Sequence, residues 1–460
     1  MNISRFSDLP LSSEILKSLL FFSYEQMTAI QKQSLFDILN NKDLVGQAKT
    51  GSGKTAAFAI GILSKLNTSK KDVQALVLCP TRELSEQVCK EIRKIGSFIP
   101  NIKIATLCGG SPIRAQMASL SGVVHCVVGT PGRILDHINK NSLNLRNLET
   151  LVLDEADRML EMGFLNDLTE IVSHAPKNRQ TLLFSATYPQ NIQNLSQNFQ
   201  KNAVFVSADT EPASLDIEQL FYPKNTTDDF SLLASLLDHY RPQSTIIFCN
   251  TKQKCSELAE RLQTQGHDAK AIHGDLEQRE RDEALVLFSN KSLAILVATD
   301  VAARGLDIKD LHAVINFDLP HDPEVYVHRV GRTARAGKSG LALSLFSAHE
   351  EGRLSVIEEY QNKNITLGDS KKLERSESLP LLASNATLRI SCGRKNKIRA
   401  TDILGALTAD GTIKGSDVGK IDICDFHSFL AIERTKFRQA LKILTENKIK
   451  ARFLKATLLS

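Results

Sequence analysis

The feature that most constrains this chain is a repeated alternation of short apolar, β-branched runs with stretches of helical spacing. Between Asp43 and about Phe205, the apolar runs 44–46, 75–79, 104–107, 123–128, 151–154 and 181–185 read as strands. Between them apolar residues recur three or four apart, as in Leu84, Val88, Ile92 and Ile95, which marks one face of a helix. Strands that alternate with helices build a parallel sheet covered on both faces. Near Gln219 the pattern restarts, with strands expected at 245–249, 269–272, 295–298, 313–317 and 341–346, and a helix at 255–265 that stops at Gly266. Residues 208–214 have linker chemistry. The chain therefore predicts two α/β units in tandem.

A polar stretch, 368–383, precedes a third unit with a different rhythm. Spacing there predicts a strand at 387–392, a helix at 400–407, strands near 419–424 and 428–433, a helix at 434–446 and a strand at 452–458. That βαββαβ order is the split layout of ferredoxin-like and RRM domains. Charge separates this unit from the rest. Residues 385–460 carry 15 Lys and Arg against 7 Asp and Glu, whereas the preceding residues hold 42 against 45. A basic unit on a near-neutral body suits nucleic acid or an anionic surface, although charge alone does not distinguish these from a solvated basic domain.

Composition closes off other classes. With 42% hydrophobic and 24% charged residues in 460, the chain is rich enough in apolar groups to exclude disorder over most of its length. No apolar run approaches the ~18 residues of a membrane span, and the first residues lack a signal-peptide core, so no membrane partner is expected. The eight cysteines are scattered, without CxxC spacing, which reads as reduced thiols in a cytoplasmic protein.

Three stretches carry chemistry. Ala48-Lys49-Thr50-Gly51-Ser52-Gly53-Lys54-Thr55 lies between a strand and a helix. Gly51 and Gly53 let backbone N–H groups approach phosphates closely at the positive end of a helix. Lys54 adds a charge for the β/γ-phosphates, and Thr55 a hydroxyl for Mg²⁺. The first glycine usual in such loops is Ala48 here. About 100 residues on, the strand 151–154 ends in Asp154-Glu155-Ala156-Asp157, which places carboxylates at the sheet edge where α/β sites lie. Asp154 suits the Mg²⁺ shell and Glu155 the orientation of an attacking water. In the second unit, His328-Arg329-Val330-Gly331-Arg332 sets two arginines three apart, on one helix face. His273, at a strand end, reads as structural.

With these residues, the sequence resembles the DEAD-box RNA helicases, and its ordered motifs cover most of the chain. Asp154-Glu155-Ala156-Asp157 is that family's naming motif. Pro80-Thr81-Arg82-Glu83-Leu84, Gly109-Gly110, Thr130-Pro131-Gly132-Arg133, Ser185-Ala186-Thr187, Phe248-Cys249-Asn250-Thr251, Gln278-Arg279-Glu280-Arg281 and the 298–307 stretch match its further motifs in order. The resemblance implies two RecA-like domains that close on ATP and RNA. It makes Arg329 and Arg332 arginine fingers, with Lys54, Asp154 and Glu155 as their catalytic partners. It places RNA backbone contacts on Thr81, Arg82, Gly110, Thr130, Arg133, Gln278, Arg281 and Thr299. Ser185, Thr187 and His328 would couple nucleotide to RNA, and Gly305 and Asp307 would approach the nucleotide. Adenine recognition falls on Phe6, Tyr24 and Gln31, with Ser23 and Ala29 in place of the family's Gly and Pro.

With its βαββαβ order and the helix Arg399-Ala400-Thr401-Asp402-Ile403-Leu404-Gly405-Ala406-Leu407, the basic unit resembles the C-terminal RNA-binding domain of the bacterial DbpA subgroup, which implies action on 23S rRNA in large-subunit assembly. The strand 428–433 offers one Phe and no glycine, unlike the base-stacking strand of an ordinary RRM. Arg394, Lys395, Lys397 and Arg399 are therefore the expected RNA contacts. The expected organisation is an adenine-recognition region (1–33), a RecA-like ATP-binding domain (34–208), a linker (209–217), a second RecA-like domain (218–367), a linker (368–383) and an RRM-like domain (384–460). The expected activity is that of a monomeric, ATP- and Mg²⁺-dependent RNA helicase directed to 23S rRNA or the pre-50S particle. The alternatives are a general RNA helicase or RNP remodeller without rRNA preference, and an ATP-dependent RNA clamp that does not turn over.

Overall fold

A computed structural model of the chain describes residues 4–48, 51–208, 217–224, 228–303, 311–334, 339–373, 379–450 and 452–459. The chain divides near residue 212 into two compact units. Lys49, Thr50, Gly305 and Asp307 lie outside the described residues.

The first unit is built on strands β1 (Leu44–Gln47), β2 (Ala75–Leu78), β3 (Ile104–Leu107), β4 (Cys126–Gly129), β5 (Thr150–Asp154), β6 (Gln180–Ser185) and β7 (Val204–Ser207). They form one sheet in the order β3-β4-β2-β5-β6-β1-β7, with every pairing parallel. Successive residues of β2 explain the two-sided cover: Ala75 and Val77 enter one apolar cluster, and Leu76 and Leu78 the other. A strand buried on both faces reads as a continuous apolar run, which is why these strands are legible in the sequence. The edge strand β7 is half exposed, and although 203–206 is an apolar run, it is not among the expected strands.

Among its described residues the second unit contains two large sheets and a two-stranded one. Strands β8 (Ile217–Pro223), β9 (Thr245–Cys249), β10 (Ala269–Ile272), β11 (Ile295–Thr299), β12 (Ala313–Asn316) and β13 (Gly340–Phe346) form a parallel sheet in the order β10-β11-β9-β12-β13-β8. Strands β14 (Asn385–Ile390), β15 (Val418–Ile423) and β16 (Ser428–Glu433) join a C-terminal strand to make an antiparallel sheet. The expected single strand 452–458 is two pieces. Arg452–Phe453, here β18, pairs with β17 (Lys448–Ile449) as a separate hairpin, and β19 (Ala456–Leu459) joins β14. Leu454, between them, is buried in the domain core and breaks the run.

The alternation along β14 and β16 has a consequence for this domain. Leu388, Ile390, Leu430 and Ile432 face its own helices through Ile403, Leu407, Ala440 and Leu444. On the opposite face, Thr387, Phe429 and Ala431 are also buried. Residues beside the parallel sheet cover that face. Asn290 Nδ2 donates to Thr387 Oγ1 at 3.1 Å, Ser292 Oγ lies 2.8 Å from the same oxygen, and Asn385 N donates to Lys291 O at 3.0 Å. Arg389 pairs with Glu283 at 3.7 Å, and Arg434 with Asp268. The expected linker 368–383 is docked rather than free where it is described. Leu381 is buried in the core of the parallel-sheet domain, its N–H donates to His267 Nδ1 at 2.9 Å, and Ala383 N donates to Asp268 Oδ2 at 2.7 Å.

Candidate nucleotide and RNA site

The turn after β1 takes its shape from two glycines. Gly51 and Gly53 have φ of 84° and 95°, a region that side chains disfavour, and a Cβ on Gly53 would lie 2.5 Å from Gln31 Nε2. Gly53 caps the helix Lys54–Lys65, whose first N–H groups are thereby aimed at the loop. Lys54 Nζ donates to Ala48 O at 2.6 Å, holding the ammonium across the turn. Thr55 is half-buried in the first helical turn. Among the described residues the buried Ser52 Oγ meets no hydrogen-bond partner, an unmet donor in a loop of donors, which fits an anionic group.

Gln31 ties the loop to the preceding helix. Its Oε1 accepts from Thr28 N at 2.9 Å and its Nε2 donates to Gly53 O at 3.0 Å, so both ends of the amide serve the protein. The expected adenine aromatics divide. Tyr24 is half-buried, with its hydroxyl donating to Glu91 and accepting from Lys94 Nζ at 3.1 Å. Phe6 is buried and packs edge-on to Tyr24, with ring centroids 6.4 Å apart. Against expectation, Phe6 offers no open face for a base; it backs Tyr24. Ser23 has a φ of 58°, which explains why glycine suits that position; a non-glycine residue there costs about 1–2 kcal/mol.

Asp154 ends β5 and is fully buried. Burial pushes its carboxyl pKa up to about 7, against the opposing pull of the Lys54 ammonium. Glu155 then turns the chain into the helix Ala156–Glu161 with a φ of 53°, a strained conformation for glutamate that leaves it half-exposed at the strand edge. Asp157 Oδ2 accepts from Ala186 N at 3.0 Å, Thr187 N at 3.1 Å and Thr187 Oγ1 at 3.3 Å, joining the turns after β5 and β6; Ser185 is buried at the end of β6. Among the described residues no group of three His, Cys, Asp or Glu could cage a metal. Thr55 and Asp154 are the sparse donors that suit Mg²⁺, which keeps several waters.

The expected RNA residues of this unit lie on the same sheet edge, beyond the acids. Thr81 and Arg82 follow β2, Gly110 follows β3, and Thr130 and Arg133 follow β4. Since β3, β4 and β2 are neighbours, and β5, β6 and β1 are the next three strands, the residues expected to meet RNA and those expected to meet the nucleotide fall on separate halves of the edge. These turns interlock. Thr81 Oγ1 caps the helix Arg82–Ile95 through Leu84 N at 3.2 Å. A Cβ on Gly109 would lie 2.7 Å from Arg82 Nη2, and Arg133 Nη1 donates to Ser111 O at 3.0 Å and Gln116 Oε1 at 2.9 Å. In the second unit, Gln278 and Arg281 are half-buried on the helix Gln278–Ser289, and Thr299 is buried at the end of β11. Arg394, Lys395, Lys397 and Arg399 are all exposed.

The two arginines expected to act as fingers occupy different environments. Arg332 and His328 are half-buried near the end of the helix Pro323–Val330. Arg329 is 2% exposed, and its guanidinium donates to Asp300, Asn316 Oδ1, Asp318 O and Asn250 Oδ1. Every face of that fork is committed within its own domain, so Arg329 organises the loops that follow β9, β11 and β12. Asn250 and Asp300 belong to the motifs named above, but that they and Asp318 meet at Arg329 does not show in the sequence, because they are far apart along the chain.

Comparison with known proteins bears on this geometry. Residues 28–195 match the DEAD/DEAH box helicase model, 228–337 the helicase conserved C-terminal domain, and 387–458 the DbpA RNA binding domain. The chain is 47% identical over 436 residues to the ATP-dependent RNA helicase DbpA of Escherichia coli K12, covering 95% of each chain. It is 45% identical over 357 residues to the DEAD-box ATP-dependent RNA helicase CshA of Geobacillus kaustophilus, covering 77% of this chain and 76% of that one. Among solved structures, S. cerevisiae Dbp5 bound to RNA and ADP BeF3 aligns with a TM-score of 0.72 at 31% identity, covering 80% of this chain and 96% of that chain.

Proposed function

The chain belongs to the DEAD-box family of ATP-dependent RNA helicases, and we propose that it remodels 23S rRNA in assembling large ribosomal subunits, acting as a cytoplasmic monomer. The observation that carries the mechanism is the divided edge of the first sheet. The turns after β5, β6 and β1 form one half and those after β2, β4 and β3 the other, and the halves meet where β5 and β2 are neighbours. Asp157, bonded to the Thr187 turn, is a link between the acids and the neighbouring loop.

In this reading the phosphates of ATP lie on the N–H groups from Gly51 to Thr55, and Lys54 leaves Ala48 O to meet them. Thr55 and Asp154 are the residues that would hold Mg²⁺. When bound, Mg²⁺ neutralises charge that builds on the phosphates. Glu155 orients the attacking water and accepts its proton. Arg332, from the second RecA-like domain, supplies positive charge to the transferred phosphoryl group, so turnover waits on RNA drawing the two domains together. Thr81, Arg82, Gly110, Thr130, Arg133, Gln278, Arg281 and Thr299 grip the RNA backbone, which carries no base identity. Selection of the target therefore falls to residues 384–460, and the basic surplus there supports that assignment.

The test is RNA-stimulated ATPase of the full chain and of a chain ending at residue 383, over 23S rRNA fragments and unrelated RNAs of equal length. The full chain should respond most to one fragment, and the truncated chain weakly and alike to all. A truncated chain that keeps the preference would place specificity in the helicase domains.

A further inference from the structure

In an RRM the sheet face normally receives stacked bases, but here the parallel-sheet domain covers it. Phe429, the aromatic on that face, is 7% exposed. The domain nevertheless leaves two aromatic rings in solvent: Phe426 is 71% exposed and Phe453 64%. Phe426 occupies the turn between β15 and β16, and Phe453 belongs to the hairpin of β17 and β18. Neither ring enters the domain's apolar core.

Both hairpins hold the same basic loop. On one side, Arg394 N donates to Cys424 O at 2.8 Å and Lys395 N to Asp425 O at 2.9 Å, while Arg394 Nη1 lies 3.6 Å from Asp425. Gly393 permits that approach, since a Cβ there would lie 2.2 Å from Cys424 O. On the other side, Lys450 Nζ donates to Lys397 O at 2.8 Å and pairs with Asp402 at 2.8 Å. Cys392 and Ile398 anchor the loop in the core, and Lys397, at a φ of 61°, reverses it. Arg394, Lys395, Lys397 and Arg399 thus project from a pinned loop between two hairpins that each expose a phenylalanine. Lys448 stands 5.3 Å over the Phe453 ring, adding a further cation beside it.

We propose that Phe426 and Phe453 are base-stacking residues and that, with Lys395 and Lys397, they make a site for unpaired nucleotides of a structured RNA. The inference rests on the reading that residues 384–460 bind RNA, and it names how they do so. Bases offer flat apolar faces that an exposed phenylalanine can cover, and the charges beside the rings meet the phosphates between those bases. A paired helix stacks its bases internally and offers no free face, so the site discriminates loops and bulges from duplex. Because domain contacts hold the sheet face, this hairpin edge replaces it as the recognition surface.

The experiment uses the full chain without nucleotide and follows fluorescence anisotropy of a labelled RNA stem–loop and of a fully paired duplex of equal length, across a salt series. Phe426→Ala and Phe453→Ala should each weaken stem–loop binding by at least roughly fivefold, the lower end for one stacked base, with duplex binding and the salt slope unchanged. Phe426→Trp should restore binding, which a folding defect would not allow. Lys395→Ala and Lys397→Ala should weaken both probes and lower the log–log salt slope by ~0.7–0.9 for each phosphate left without its lysine. Wild-type affinity in both phenylalanine variants, with the lysine variants impaired, overturns the stacking site and leaves the RNA-binding reading intact. Wild-type affinity in all four overturns both.

Discussion

Arg329 and Asp300 form a two-bond pair, with Nε and Nη2 of the arginine each donating at 2.7 Å to a different carboxylate oxygen. The arginine is almost wholly buried, and Asp300 retains partial exposure. Asn250, Asn316 and the carbonyl of Asp318 take the remaining donors. A guanidinium held in this way fixes three loops at the end of the parallel sheet, and a lysine could not replace its planar fork.

Arg329→Ala should therefore act first on stability. Removing one partner of a buried pair costs about 3–5 kcal/mol, and the cost here falls at or below that range because Asp300 keeps some access to water. Arg332→Ala should lower RNA-stimulated turnover by ~10³–10⁵, the contribution of an arginine finger. Thermal melts beside ATPase assays on both variants distinguish the roles. An unshifted melt for Arg329→Ala would remove it from the structural hub.

Glu155→Gln should keep ATP and RNA binding while hydrolysis collapses. The amide preserves size and polarity but accepts a proton far less readily than a carboxylate. Glu155 already sits in a left-handed conformation, and glutamine carries the same backbone strain, so no change of fold accompanies the loss. Equilibrium binding and single-turnover assays on one preparation check this; turnover at the wild-type rate would rule Glu155 out as the base.

Asp154→Asn should lose ATPase activity yet gain relative stability as pH rises. Burial raises the Asp154 carboxyl from an unfolded value of ~3.9 to about 7. A carboxyl raised in this way favours the folded state while protonated, and that contribution is lost as pH rises through about 7. Melts of nucleotide-free protein at pH 6 and pH 8 should show the variant's advantage over wild type growing between them. A margin that stays the same at both pH values would mean that Asp154 is ionised throughout.

Gln31→Ala should disturb both the base and the phosphate loop. Its amide is bonded to Thr28 N and Gly53 O, so its loss frees the loop as well as removing polar groups that reject the wrong base. Discrimination of ATP over GTP should narrow, and affinity for both nucleotides should fall together. A change in discrimination without any common loss would show that the bond to Gly53 does not set the loop's shape.

Local order along the chain determined a large part of this molecule. The buried parallel strands announce themselves as apolar runs because helices cover both faces, and the phosphate loop and the acids at 154–157 each lie within a few residues of one another. What tertiary structure decided is which partner each side chain meets. Arg329 and Arg332 look equivalent at a spacing of three, but Asp300, Asn316 and Asn250 arrive from distant loops and claim only the first. Phe6 reads as an open aromatic until Tyr24 and the first core close over it. Thr387 looks like part of a bare RRM face until Asn290, 97 residues earlier, bonds to it. Sequence periodicity specifies that a face is buried or exposed against its own neighbours, and carries no information about a surface folded from elsewhere in the chain. That is why the basic loop was legible in the sequence, and the two aromatics beside it were not.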